Sequence, residues 1–305
     1  MIVIRNRAFT GPRVVALGTF DGVHIGHRRL LETGKQMAEE TGARLQVCTF
    51  DRHPLSVIRA GLAPELLTTL PEKLHYLAET GAGEVRIWHF TREMAAMPPE
   101  DFLTWLIEGT ELAGVVAGWN YSFGRAGRGD PEMLQRDGEK HGYPVTILPP
   151  VTAKSGVPVS STNIRELLKE GRMEETREQL GRDYTLSGPV VHGKEKGRTI
   201  GFPTANVAVS GEKLLPAFGV YTCRMETERE VFPGIVNIGR QPTLPSGKVT
   251  VEVHVLGENP ELYGVPVRVT LLDRLRPEIR FPDVEALEKQ IEMDRREGMK
   301  RFQMG

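Results

Sequence analysis

Gly18-Thr19-Phe20-Asp21-Gly22-Val23-His24-Ile25-Gly26-His27 is the stretch from which the fold of this chain is read. It follows a short apolar run, Val14 to Leu17, and precedes Leu30, Leu31, Gly34, Met37 and Ala38, whose spacing is helical until Gly42. The order is strand, loop, helix, and Arg44 to Phe50 completes a βαβ unit. The alternation then repeats, with Pro71 to Thr80 and Pro99 to Glu108 as helices and Glu84 to Trp88 and Gly114 to Ala117 as strands. The first half is therefore predicted to be α/β, a doubly wound parallel sheet.

Two short helical stretches, Ser161 to Glu170 and Met173 to Leu180, lead to Gly181-Arg182-Asp183, where the pattern changes. Beyond it β-type runs dominate: Thr185 to Val191, Val220 to Met225, Val231 to Ile238, Lys248 to Leu256 and Val265 to Leu272. Gly188-Pro189 and Pro245-Ser246-Gly247 read as turns between them. The second half is predicted to be a small β-barrel, followed by a helix after Pro282 with Asp283 as N-cap and Val284, Leu287 and Ile291 as its apolar stripe.

A chain of 305 residues is too long for one ordinary core and suits two domains, placed at 1–182 and 183–305. The net charge of −1 offers no basic field to gather nucleic acid. Cys48 and Cys223 match no metal spacing and no disulfide framework. Met1-Ile2-Val3-Ile4-Arg5-Asn6-Arg7 lacks the apolar core of a signal peptide, and no run approaches the ~18 apolar residues of a membrane span. The expected partners are small molecules, with no membrane and no nucleic acid, in a reducing cytoplasm. Oligomeric state is not legible.

In a doubly wound sheet, ligands bind where a strand gives way to a helix. Amides opening a helix favour anionic oxygens, and Gly22 and Gly26 let the backbone approach them. Two imidazoles three residues apart, His24 and His27, can add hydrogen bonds to a phosphoryl group as charge develops, which points to nucleotidyl transfer. The same His-Ile-Gly-His marks class I aminoacyl-tRNA synthetases, but Ala153-Lys154-Ser155-Gly156 does not match the lysine-rich loop they require. In the second half, GPVVHGKEKGRTIGFPTANV at 188–207 combines a basic glycine-rich loop with Thr204 and Asn206, and no Walker A motif is present. Amides from Gly193 to Gly201 can cradle phosphate, Lys194, Lys196 and Arg198 add charge, and Thr204 and Asn206 supply the hard oxygens that Mg2+ prefers. Taken alone, Pro-Thr-Ala-Asn reads equally as a plain β-turn.

The string GTFDGVHIGH, with TFDRHP at 49–54, GWNYSFG at 118–124 and VSSTNIRELL at 159–168, resembles the FMN adenylyltransferase module of bacterial bifunctional riboflavin kinase/FAD synthetases. FGVY at 218–221, GIVNIGRQPT at 234–243 and VEVHVL at 251–256 resemble the riboflavin kinase module, and the ending, 275–302, keeps the pattern. The resemblance implies a nucleotidyltransferase-type domain followed by a riboflavin kinase-type barrel, with ATP, riboflavin and FMN as substrates and Mg2+ as cofactor. It implies ATP phosphate contacts from His24 and His27 within a nucleotide site that includes Gly18, Phe20, Asp21, Gly22 and Gly26. Asn120 would face nucleotide and flavin, and Ser161, Thr162 and Arg165 would close over the phosphates. By themselves these last residues read more commonly as an N-cap with a solvated arginine. In the kinase module Gly193, Lys196, Gly197 and Arg198 would bind nucleotide, Thr204 and Asn206 the metal, and Arg276 would lie near the flavin.

The kinase base implied is Glu252. Alternation puts Val251, Val253 and Val255 on one face and leaves Glu252 and His254 on the other, where an exposed strand residue is the plain alternative. His254 is expected to support structure. Two departures stand out: Arg52 where the family has proline, which leaves a role for His53 open, and Gly257 where it often has aspartate. Rival readings are an adenylyltransferase for another phosphate ester, which leaves the barrel without a purpose, and a flavin-sensing binding protein.

Overall fold

The computed structural model describes residues 1–5, 10–59, 61–193, 202–240, 249–258 and 260–303. Among them no helix is long and apolar enough to cross a membrane. The chain divides into two compact units, 1–161 and 162–305.

The first unit is built on six parallel strands: β1 (Ile2–Arg5), β2 (Arg13–Leu17), β3 (Arg44–Phe50), β4 (Glu84–Trp88), β5 (Leu112–Gly118) and β6 (Val145–Leu148). Their order across the sheet is β1-β4-β3-β2-β5-β6. Strand β2 is buried along its whole length, as a central parallel strand covered on both faces must be. Its alternate residues serve two cores. Val14 and Ala16 pack with Leu30, Leu31 and Ala38 of α1 (Ile25–Glu40). Val15 and Leu17 pack with Phe102, Leu103 and Leu106 of α5 (Pro99–Glu108). Each fully buried aliphatic side chain of this kind contributes roughly 1.5–3 kcal/mol. Between these helices lie α2 (Pro54–Ile58), α3 (Leu70–Glu79) and α4 (Arg92–Ala96), and α6 (Pro131–His141) precedes β6.

Helix α1 sits close on the sheet because Gly34 carries no side chain: a Cβ there would stand 2.9 Å from Leu45 and 3.0 Å from Val116. That seating fixes the direction in which the start of α1 points.

The second unit contains α7 (Ser161–Glu170) from its second residue on, α8 (Met173–Leu180) and a closed antiparallel barrel of order β10-β11-β8-β7-β12-β9. Its strands are β7 (Tyr184–Val191), β8 (Ala205–Val207), β9 (Gly219–Glu226), β10 (Val231–Arg240), β11 (Val249–Val255) and β12 (Pro266–Pro277). The Ala217 amide donates to the Leu168 carbonyl at 2.8 Å, and Arg177 Nη2 donates to the Leu272 carbonyl at 3.1 Å. These bonds tie α7 and α8 to the barrel. Helix α9 (Val284–Arg301) packs on β9 and β10 and is capped by Asp283, whose carboxylate accepts from the Ala286 amide at 2.8 Å.

One expected turn is not a turn. Gly188 and Pro189 lie inside β7, paired with Val267 and Pro266. Proline is tolerated because it faces another proline at the end of the ladder, where neither missing N–H is needed. The turn at 245–247 and Lys248 lie outside the described residues.

Gly34→Val is expected to destabilise the first unit by about 1–3 kcal/mol through overpacking against Leu45 and Val116. Thermal unfolding monitored by circular dichroism checks this, and an unchanged melting temperature would refute the close seating of α1.

Candidate active sites

Strands β2 and β5 are neighbours, yet the chain leaves β2 toward β3 on one side and enters β5 on the other. The carboxyl ends of these two strands are thus the switch point of the sheet, the place where ligands bind in sheets of this kind. The loop 18–24 follows β2, and Trp119 and Asn120, both exposed, follow β5.

The loop after β2 is strained and held. Phe20 has φ +50°, Gly22 +83° and Val23 +41°. For a β-branched residue such as Val23 the left-handed region is a genuine outlier, and each such position costs on the order of 1–3 kcal/mol. Neighbours supply the compensation. Phe20 and Val23 are fully buried. The Asp21 carboxylate accepts from the amides of Leu67 (3.1 Å) and Thr68 (2.9 Å) and from the Thr68 hydroxyl (3.2 Å). Thr68 Oγ1 in turn accepts from the Gly22 amide at 2.9 Å, and Ser161 Oγ donates to the Asp21 carbonyl at 2.9 Å. Asp21 is therefore a brace for the loop.

The brace delivers His24 as the N-cap of α1, its Nδ1 accepting from the His27 amide at 3.3 Å. A neutral His24 then carries its proton on Nε2. The two imidazoles stack, centroids 3.6 Å apart and planes 14° from parallel. Phe20 lies 5.1 Å from the His27 ring, and Gly18 and Gly26 stand beside the Phe20 and His24 rings. The arrangement can offer imidazole N–H groups and helix-start amides to a phosphate chain.

Segment 67–73, which sequence reasoning did not single out, does the gripping. Besides Leu67 and Thr68 it contains Lys73, which is buried and bonded to the end of β3 and to the Thr19 carbonyl. A Thr69 capping box with Glu72 was the one signal available, and it announces only a helix start.

The departure at Arg52 is explained locally. Arg52 is half exposed and lies 3.5 Å from Asp51, whose carboxylate also takes His89 Nδ1 at 2.6 Å and the Phe90 amide at 3.2 Å. Partial burial pushes the Asp51 carboxyl up, but the bonds from His89 and Phe90 and the nearby positive charges outweigh it and leave it below the usual range. His53 caps α2, its Nδ1 accepting from the Leu55 amide at 3.2 Å.

In the barrel, register assembles the second site. Glu252 of β11 pairs directly with Asn206 of β8 on one side and with Asn237 of β10 on the other. Directly opposed residues share a face, and Val251 and Val253 fill the opposite, buried face. Gly193 abuts the Asn206 amide. Thr204 borders a cavity of about 350 Å³ walled by Val190, Pro203, Val253 and Leu262, with Tyr263 stacked on His192 at its rim. His254 Nδ1 bonds the Pro203 carbonyl at 2.9 Å, so it steadies the turn that carries Thr204. Lys194, Lys196, Gly197 and Arg198 lie outside the described residues. Gly257 stands at φ +80° in the turn after β11.

Arg276 lies opposite Val220, which in turn pairs with Asn237, so it belongs to the same row across the barrel. Its Nε and Nη2 grip Asp294 of α9 at 2.7–3.0 Å, Nη1 donates to the Pro277 carbonyl, and the guanidinium lies 5.8 Å from the Phe281 ring centre. Thr162 and Arg165 are carried on α7 in the second unit, Arg165 buried and Thr162 exposed.

Thr204, Asn206 and Glu252 each carry a hard oxygen; register pairs Asn206 with Glu252, while Thr204 borders the cavity walled by Val253. Among the described residues no cluster of three or more His, Cys, Asp or Glu could hold a metal ion by itself. Oxygens of this hard type are chemically compatible with Mg2+, which is commonly held by one or two protein oxygens together with substrate phosphates.

The sequence model of the FAD synthetase family matches residues 6–163, and that of the riboflavin kinase family matches residues 180–302. Over 285 residues the chain is 36% identical to the bifunctional riboflavin kinase/FMN adenylyltransferase of Listeria monocytogenes, covering 92% of this chain and 90% of that one. It is 35% identical to the Bacillus subtilis enzyme of the same name over 95% and 92% of the two chains, and 36% identical to the Escherichia coli K12 enzyme over 92% and 90%. A crystal structure titled macrolide-efflux protein from Streptococcus pneumoniae superimposes with a TM-score of 0.86 at 29% identity over 99% of both chains. That title describes that protein; both family models and the three named relatives agree on flavin chemistry.

Asp294→Ala is expected to cost about 3 kcal/mol by stranding the Arg276 guanidinium, which is only 18% exposed. Denaturant unfolding of the variant measures it. Replacing both partners with Arg276→Met and Asp294→Leu is expected to recover most of the loss.

Proposed function

The chain belongs to the bifunctional riboflavin kinase/FMN adenylyltransferase family, and on that premise we propose that the barrel makes FMN from riboflavin and the parallel-sheet unit makes FAD from FMN. The observation that carries this reading is the pairing of two unlike phosphate sites in one chain. One is a stacked histidine pair opening a helix. The other is a carboxylate in register with an asparagine on a barrel wall.

In the kinase step Glu252 accepts the proton of the terminal ribityl hydroxyl as that oxygen attacks the γ-phosphorus of ATP, and ADP leaves. Mg2+ would be held by Thr204 and Asn206, and when bound it neutralises phosphate charge. Gly193, Lys196, Gly197 and Arg198 are assigned to the nucleotide. Arg276 is assigned to the flavin side, where it holds the wall through α9.

In the adenylyl step an oxygen of the FMN phosphate attacks the α-phosphorus of a second ATP, the bond to the β,γ-unit breaks, and pyrophosphate leaves. His24, His27 and the first amides of α1 stabilise the charge that develops. Gly18, Phe20, Asp21, Gly22 and Gly26 shape and brace that loop, Asn120 serves nucleotide and flavin, and Ser161, Thr162 and Arg165 serve the phosphates. The chemical boundary is put at 182/183, which keeps Thr162 and Arg165 with adenylyl transfer although the compact units divide at 161/162. Positioning and charge neutralisation suffice for both reactions, so no covalent enzyme intermediate is involved. The proposed location is the cytoplasm.

His27→Ala is expected to slow FAD formation from FMN by about 10²-fold or more while leaving FMN formation intact. Glu252→Ala is expected to slow FMN formation by about 10²–10⁴-fold while FMN supplied directly is still converted to FAD. Loss of both activities from either folded variant would refute the assignment of one site to each unit.

A further inference from the structure

Lys73 is used by neither step above, yet it is buried to 8% exposure in the first turns of α3. Its ammonium donates to the Thr19 carbonyl (3.1 Å), the Thr49 hydroxyl (3.2 Å) and the Phe50 carbonyl (2.9 Å). Three donors meet three neutral acceptors, so the hydrogen-bonding capacity of the group is filled without a carboxylate in contact. An apolar side chain of similar length would fill the same space without the cost of burying a charge. What the ammonium adds is its grip on those oxygens.

The gripped atoms lie at the entrance to the strained turn. The Thr19 carbonyl belongs to the peptide that leads into Phe20 at φ +50°, and Thr49 Oγ1 donates to the same carbonyl at 2.9 Å. On the far side of Phe20, the Asp21 carboxylate is held by the amides of Leu67 and Thr68, six and five residues before Lys73. One short segment thus pins the turn on both sides of its first left-handed residue. The start of α1, with His24 and His27, follows within four residues.

We propose that Lys73 is a positioning residue for adenylyl transfer, its protonated ammonium fixing the Thr19 carbonyl so that the Phe20–Val23 turn presents the histidine pair and the helix-start amides to the ATP phosphates. The proposal rests on the reading of that loop as the FMN adenylyltransferase site.

The titratable groups that face Lys73 are Asp21 from the loop and Asp51 from the end of β3. Burial pushes the lysine down to about 8, and these two carboxylates act in the opposite direction. The sign of the linkage separates positioning from stability. Between about 8 and the ordinary 10.5 the unfolded chain binds the lysine proton and the folded chain does not, so the contribution of Lys73 to stability rises with pH in that window. A rate that falls there is therefore not caused by loss of fold through this group.

The test uses the full chain with FMN, ATP and Mg2+, follows FAD formation, and assays riboflavin phosphorylation on the same preparations. For the wild type, kcat for FAD formation is expected to fall as pH rises through about 8. Lys73→Met is expected to lower that kcat by about a hundredfold with little change in KM for ATP and none in the kinase rate. Lys73→Arg, which does not titrate in this range, is expected to recover much of the rate and to lose the alkaline fall. Lys73→Met with wild-type kcat, or with a raised KM alone, would overturn the proposal. If Lys73→Met does not fold, a wild-type kcat that stays flat through the window would overturn it. A folded wild type that makes FMN but no FAD would instead overturn the reading of the loop, and this proposal with it.

Discussion

The Asp21 carboxylate, held by the backbone amides of Leu67 and Thr68, anchors the carboxyl edge of the parallel sheet. Two left-handed non-glycine residues within four positions, Phe20 and Val23, cannot persist on local propensity, since together they cost several kcal/mol, on the order of the strain typical of functional sites. They persist because distant chain holds them: Asp21 through 67–68, Gly22 through Thr68, and Thr19 through Thr49 and Lys73. Release of that grip would let the turn relax, and His24 would no longer cap α1 beside a stacked His27.

The barrel reaches the same end by a different route. Among the described residues its site rests on register, since closure of the antiparallel barrel places Asn206 beside Glu252. The buried Arg276–Asp294 pair then attaches α9 to the strand that completes the row. A strained loop can be adjusted by a few contacts, whereas a barrel register changes only by whole residues. The two chemistries thus rest on two kinds of positional control.

Much of the fold was legible in the sequence because both halves follow strict periods. Glu84–Trp88, Pro99–Glu108, Ser161–Glu170 and Met173–Leu180 appear with the bounds that periodicity gives them, and Asp283 caps α9 as expected. Strands β1 and β6, four residues each, were too short to carry a period, and α6 buries only Leu134 and Gly138, too few for a stripe. Gly188-Pro189 was misread because turn residues at a ladder end resemble those of a true turn. At the sites, His24 and His27 were visible because helical spacing brings them together locally. Thr68 and Lys73 were not, since their contacts to the loop span 46 and 54 residues, and neither was the engagement of Arg276 by Asp294, 18 residues on.

The most direct measurement is a time course of the folded wild-type chain with riboflavin, ATP and Mg2+, the flavins being separated chromatographically. The account requires FMN to appear first and FAD to follow at its expense. FMN that accumulates without FAD, or neither product from protein that binds flavin, would contradict it.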